Sequence, residues 1–443
     1  MDVLVFVLAI AIAIIVGTKL KTNIGVVAMA MAFIAGGFYY GLKPNDVLAC
    51  FPTNIFFYMF FGTFFYGFGM HNGTFQNIAQ KILHKFGKNA KIIPIVMYFA
   101  MACVMALGAG SNAGPAFMSP IFFGIVTELG LHPVVAALAC FSAATAFNLL
   151  PWTSDFAQKT SINIGTFGEE TARTISLTAM AYDIIFLLAC FIVLCIITGA
   201  FKGGQLKEFP EAPKMTKEQK ATLIVIACLG ILLVVPMIIN MFHKNPVTTW
   251  MGNFLDFRCL AAIGIVVLYM LKIGDINEVL KKSVPWVPII TVCGTGTLVG
   301  LAAKIGIADT IGAWLGSSVP AAIVEPVFML ICGGLSLVVS GAVVQPLMVS
   351  LIPGIAMATG CNAMSLAVCM MVGLQYAGFS PFSAGGTMAT IGCTDEEERK
   401  KLIAPMILCA IAFVVVTAIL AGLGLFDAIF ANAQYTLTVA APK

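Results

Sequence analysis

Gly108-Ala109-Gly110-Ser111-Asn112-Ala113-Gly114-Pro115 is the stretch on which the fold of this chain turns. Apolar sequence approaches it from residue 91 and leaves it toward residue 129. Gly108-Ala109-Gly110 ends one half-helix and leaves its last carbonyl oxygens free. Ser111 and Asn112 can cap a second half-helix, and Pro115 suits its first turn, where no N–H is needed. Free carbonyls with Ser and Asn oxygens suit a sodium ion, whereas free N–H groups at a helix start suit a carboxylate. A kinked helix with a Ser/Gly hinge reads similarly, because Gly and Pro are frequent in membrane helices. A second stretch weighs against that simpler reading. Val339-Ser340-Gly341-Ala342-Val343-Val344-Gln345-Pro346 puts Ser340 229 positions after Ser111, again between apolar runs.

The composition requires a membrane. Of 443 residues, 60% are hydrophobic and 10% charged, and the mean hydropathy is +1.00. A soluble protein of this length needs about a quarter of its residues charged, so lipid must cover most of the exterior. The net charge of +4 is small, and no basic stripe with interleaved aromatics marks a nucleic-acid partner. Thirteen cysteines lie mostly in apolar stretches without a CxxC pair, as small packed hydrophobes do. His71, His84, His132 and His243 make no HExxH, and there is no nucleophile elbow, Walker loop or dinucleotide fingerprint. Nothing here favours an enzyme or a bound cofactor. Asp2 precedes the first apolar run and Lys19 and Lys21 follow it, the reverse of a secretory signal. The run reads as a retained helix with its N-terminus outside.

Apolar segments lie near 2–17, 23–42, 51–70, 91–107, 114–129, 133–150 and 175–200, then, past a polar linker, near 219–240 and 254–272. The remainder are near 285–302, 320–339, 343–358, 362–378 and 402–425. Several fall short of the roughly 20 residues a full span needs. Features of the second half recur about 230 positions from those of the first. Gly67 and Gly73 match Gly300 and Gly306, and Pro151 in Leu-Pro-Trp-Thr-Ser-Asp matches Pro381 in Ser-Pro-Phe-Ser-Ala-Gly-Gly. The chain thus reads as an all-α polytopic membrane protein built from two repeats, residues 1–200 and 219–443, joined by a cytoplasmic linker at 201–218.

If 91–129 and 320–358 are re-entrant hairpins and the N-terminus is outside, 17 of the 24 Lys and Arg residues fall in cytoplasmic loops. Each half then crosses the membrane an odd number of times, and the second is inverted relative to the first. Inverted repeats whose broken helices meet at midplane are a transporter signature. Broken backbone cannot face lipid, so the breaks at 108–114, 150–155, 340–344 and 379–386 must line a polar cavity or be buried in protein. Thr153 and Ser154 in the second break, and Ser380, Pro381, Ser383, Gly385 and Thr387 in the fourth, offer hydroxyls and close backbone approach to a ligand. Asp183 is the charged residue best placed to be buried, while the run Asp395 to Lys401 reads as a solvated loop.

At these breaks the chain resembles the ion transporter superfamily, and within it the divalent-anion/sodium symporters and the bacterial dicarboxylate (malonate-type) carriers. The likeness extends over the whole chain as two inverted-topology repeats, each with a re-entrant helical hairpin and a discontinuous helix. The hairpin tips of that family carry Ser-Asn-Thr motifs for sodium and substrate carboxylates. Here the tips read Ser111-Asn112-Ala113 and Ser340-Gly341-Ala342, so the second lacks the Asn and Thr. The resemblance implies a secondary active carrier of small organic anions, dicarboxylates above all. Those two tips with the 151–154 and 380–387 loops would form its midplane site. It further implies sodium held at Gly108, Ser111, Asn112 and Pro151, a homodimer, and elevator-type movement in a bacterial inner membrane. Coupling to one sodium, to protons or by exchange all fit these residues. The rival on the same architecture is a sodium/proton antiporter or inorganic-anion exporter, with Asp183 carrying the proton.

Overall fold

The computed structural model describes residues 2–433, except 21, 87, 88, 90, 112, 203–212, 243, 244 and 338–340, together with residue 437. Asn112, Ser340 and most of the linker therefore lie outside the described residues. The first half holds α1 (Asp2–Lys19), α2 (Ile24–Ile34), α3 (Pro44–Leu48), α4 (Thr53–His71) and α5 (Thr74–Phe86). It continues with α6 (Ile93–Ala106), α7 (Ala113–Glu128), α8 (Val134–Phe147), α9 (Ser154–Phe167) and α10 (Glu169–Ile197). The second half opens with α11 (Lys217–Phe242), α12 (Pro246–Phe254), α13 (Phe257–Met270), α14 (Ile276–Ser283), α15 (Trp286–Lys304) and α16 (Ile307–Ser318). It ends with α17 (Val324–Ser336), α18 (Gly341–Thr359), α19 (Ala363–Ala377), α20 (Ala384–Thr390), α21 (Glu396–Gly422) and α22 (Leu425–Phe430). No strand occurs among the described residues.

Among those residues, four helices are long and apolar enough to cross a membrane: Glu169–Ile197, Lys217–Pro236, Trp286–Lys304 and Glu396–Gly422. The helices flanking the breaks are shorter, 14 residues in α6 and α8 and 15 in α19. α8 and α19 bury nearly every side chain instead of a single stripe. Val134 through Ala146 of α8 and Ala363 through Leu374 of α19 are buried without interruption, as expected of helices enclosed by other helices. The outer helices expose large apolar side chains, with Ile185 72%, Ile197 75% and Leu423 78% exposed. An exposed apolar exterior on this scale is a lipid-facing one, and the chain is an integral membrane protein.

Residues of both halves share the main core, where Phe65, Tyr98 and Phe191 lie in one cluster with Phe328, Tyr376 and Phe379. A smaller cluster joins Phe6, Ala9, Ala28 and Ala32 to Leu298 and Leu301, where α2 packs on α15 and α1 packs on α2. Here Gly25 and Gly294 face each other so closely that a Cβ on Gly294 would lie 2.1 Å from the Gly25 carbonyl oxygen. Small residues permit such backbone approach between membrane helices, where dispersion contacts drive association.

The structure departs from the sequence reading at both polar helix starts. The last long helix of the first half begins at Glu169, not near 175. The run Asp395 to Lys401 is not a loop. Asp395 accepts the N–H groups of Glu397 (2.8 Å) and Glu398 (3.4 Å), and Glu396 to Glu398 form the first turn of α21. Acidic side chains at a helix N-terminus are favoured by the dipole.

Candidate functional site

The first break begins where α6 ends. Gly108 takes φ +93°, donates its N–H to the Met105 carbonyl at 2.8 Å, and Ala109 donates to that of Val104 at 3.3 Å. The Ala106 carbonyl is taken by the indole Nε1–H of Trp152 at 2.6 Å. Trp152 belongs to the second break, and its own carbonyl accepts the Tyr66 hydroxyl of α4. The Tyr66 ring fills the space beside Gly108, where an added Cβ would lie 2.1 Å from the ring. Two aromatic side chains thus lock two breaks together, and each satisfies or shields backbone that lipid could not. Neither aromatic stands out in the sequence, because a polar-group search does not reach Tyr66.

Ser111 follows, half-buried, with its backbone N–H donated to Asp155 Oδ2 at 2.8 Å. The expected free N–H groups at this tip are therefore partly taken. A carboxylate of the chain already sits at the start of α7, which opens at Ala113. Asp155 follows the 151–154 loop directly, so the first tip and that loop are brought together as expected. Gly110 accepts the Gly114 N–H at 2.9 Å. No hydrogen bond engages the Gly108 or Pro151 carbonyl among the described residues. Asn148 Oδ1 is buried at the same break without a hydrogen-bond partner among them. Carbonyl, amide and carboxylate oxygens are donors of the kind a small hard cation takes.

The second and fourth breaks share one hydrogen-bond pattern at an offset of 230 positions. Thr153 Oγ1 donates toward the Asn148 (2.5 Å) and Leu150 (2.8 Å) carbonyls and accepts the Phe156 N–H at 3.2 Å, capping α9. Ser383 Oγ donates to the Gly378 carbonyl and to that of Ser380 at 2.9 Å, and accepts the Gly386 N–H at 3.2 Å, capping α20. Both hydroxyls are occupied by their own backbone. Thr387 likewise donates to the Ser383 carbonyl at 2.8 Å, and Ser380 Oγ accepts the Phe382 N–H at 3.3 Å. The close approach expected at Gly385 and Gly386 is made by the chain itself: a Cβ on Gly386 would lie 2.1 Å from the Ser380 carbonyl oxygen, and one on Gly385 2.9 Å from that of Gly378. Ser154 is buried against α4 at Gly62. Pro381 is half-buried between an enclosed Ser380 and a Phe382 that is 74% exposed.

Helices on either side of the breaks are tied across the two halves. Ser119 of α7 donates to the Ala389 carbonyl at 2.8 Å and accepts the Gly392 N–H at 3.0 Å, fixing α7 to α20. Gln345 of α18 donates to the Lys159 carbonyl at 3.1 Å, fixing α18 to α9. Gly341 and Ala342 open α18, with Gly341 against Leu374 of α19. Between these contacts runs a polar chain: Lys159 Nζ donates to Gln375 Oε1 at 2.6 Å, and Gln375 Nε2 donates to Asp183 Oδ2 at 2.9 Å. Asp183 is fully enclosed, as expected, and its Oδ1 has no hydrogen-bond partner among the described residues. Lys159 and Gln375 were legible only as an i,i+4 partner of Asp155 and as a lone amide in an apolar helix.

Three comparisons bear on these features. Residues 1–147 match a family model described as dicarboxylate carrier protein MatC N-terminus. No curated protein sequence matches the chain significantly. The crystal structure of the YdaH transporter of Alcanivorax borkumensis, described as having an unusual topology, aligns over 86% of this chain and 86% of its own with a TM-score of 0.58. Sequence identity is 13%, so that likeness is one of fold. Over its first 147 residues the chain is thus similar to the N-terminal region of the MatC-type dicarboxylate carriers, on a fold it shares with a solved membrane transporter.

Proposed function

We propose that this protein is a secondary active carrier of small carboxylate anions, dicarboxylates above all. The observation that carries the reading is the meeting of helix breaks from both halves around the Asp155, Lys159 and Gln375 side chains, inside a protein whose exterior is apolar. The family description over residues 1–147 supports the substrate class. The matched hydrogen bonds of Thr153 and Ser383 support two inverted-topology repeats. The shortness of α6 and α7, 14 and 16 residues, supports a hairpin that turns back within the membrane. Sodium couples transport when held at the first break by the Gly108 and Pro151 carbonyls with Ser111 and Asn112, its charge balanced by Asp155. Substrate lies between the two tips, with α18 presenting the N-terminal N–H groups of Gly341 and Ala342 to a carboxylate. The separate α1–α2–α15 cluster suits a scaffold, against which the hairpins and broken helices move elevator-fashion in a homodimer of a bacterial inner membrane, N-terminus outside. In the Asn112→Ala protein, uptake of labelled dicarboxylate into proteoliposomes should be abolished while the protein stays folded. Undiminished uptake would remove the first tip from the site.

Asp183 favours a second reading, in which a proton rather than sodium is the coupling ion. A fully enclosed carboxylate in a membrane protein is a functional-site candidate by default, and proton relay is one of its recurrent roles. Dicarboxylate uptake driven by a pH gradient in sodium-free medium, and lost in Asp183→Asn, would favour it.

A further inference from the structure

Lys159 is a cation without an ion-pair partner among the described residues. It is half-buried on α9, one turn beyond Asp155, and among the described residues no carboxylate comes within 4 Å of its ammonium. Its one hydrogen bond is to the neutral amide of Gln375, which leaves two of its three N–H donors uncommitted. Gln375 is anchored in turn by Asp183, so the ammonium is held in place while Asp155 and Asp183 act on it only from beyond contact distance. Lys159 also lies where the elements converge. Its carbonyl receives Gln345, one turn into α18 from Gly341, and Gln375 stands four residues before the fourth break, which opens at Phe379. An ammonium at membrane depth is costly unless it meets an anion.

The first tip cannot supply that meeting place for a substrate, because Asp155 already occupies the Ser111 N–H and places a negative charge there. The internal repeat adds a second argument. At the 230-position offset Asp155, Lys159 and Asp183 correspond to Gly385, Ala389 and Phe413, and Gln375 corresponds to Thr145. The capping hydroxyls recur in both halves and the charges do not, which separates what the fold needs from what one site needs. Resting on the carboxylate-carrier reading, we infer that Lys159 is the cationic subsite for one carboxylate of a dianionic substrate, the other being held at the start of α18. Gln375 and Asp183 are positioning residues that aim the ammonium.

Thermal-shift titration of purified wild-type and Lys159→Gln proteins with three- and four-carbon dicarboxylates and with their monoamides tests this. Losing one charge-assisted hydrogen bond should weaken the dianions by roughly tenfold or more and leave the monoamides unchanged, so the preference for two charges collapses. An equal loss for both ligand types, or an unaltered preference, would overturn the subsite. A wild-type protein indifferent to every carboxylate would overturn the carrier reading itself, and this inference with it. If Lys159→Gln does not fold, Lys159→Arg keeps the charge on a longer side chain. Its preference should move toward the shorter diacid, and an unmoved preference would count against direct contact.

Discussion

The hydroxyl of Tyr66 closes onto the Trp152 carbonyl, and the Trp152 indole closes onto that of Ala106, so one phenol supports two helix breaks. Tyr66→Phe leaves the ring against Gly108 but strands a buried carbonyl. It should lower stability by about 1–3 kcal/mol, read as a fall in melting temperature of the purified protein. Combined with Trp152→Phe, the loss should be less than the sum, because the two side chains act on one junction. An additive result would mean they act separately. Polar residues at the breaks were legible because hydroxyls interrupting apolar sequence are conspicuous. Their roles were not. Thr153 and Ser383 look like ligand groups in sequence, yet both spend their hydrogen bonds on adjacent carbonyls. Lys159 was passed over because α9 faces the interior with polar residues and leaves no apolar run to mark it as membrane-embedded.

Breaks are elements in their own right here, and their backbone tolerates little change. Gly108→Ala must fit a Cβ into the Tyr66 ring at φ +93°. It should cost more than about 2 kcal/mol, enough to lower the yield of folded protein in detergent. Gly110 has open space at its Cβ position and no positive φ. Gly110→Ala should melt within a degree or two of wild type, and a large drop there would show that backbone fit at Gly108 is not what the break depends on. Thr153→Ala and Ser383→Ala should each cost about 1 kcal/mol by losing a cap, with Thr153→Ser retaining most of it. Hydropathy located the breaks and the apolar helices to within a few residues. It missed α5, whose Phe75, Ala79 and Leu83 face inward while Lys81 and Lys85 stay exposed, because an amphipathic stripe raises no apolar run. It also missed α21's charged first turn, since acidic residues read as solvent until a cap such as Asp395 organises them.

At the scale of the molecule the halves are interleaved rather than side by side. α7 is fixed to α20 and α18 to α9, so neither half encloses these breaks alone. An offset near 230 in the sequence suggests a duplication, but such an offset carries no information on which helices of one half meet which of the other. That exchange puts a single set of charges, Asp155, Lys159 and Asp183, between two sets of breaks. Asp155, which reaches the first tip, and Lys159 lie about a helical turn apart on α9, so on the proposed reading sodium and dicarboxylate would bind close enough to favour each other. Thermal melting of the wild-type protein against a panel of small organic acids, each with sodium or choline as the cation, measures this directly, because a ligand stabilises the folded state with the logarithm of its excess. Stabilisation by dicarboxylates, larger in sodium than in choline, is the expected result. No stabilisation by any carboxylate in either salt would contradict a carboxylate carrier on this fold.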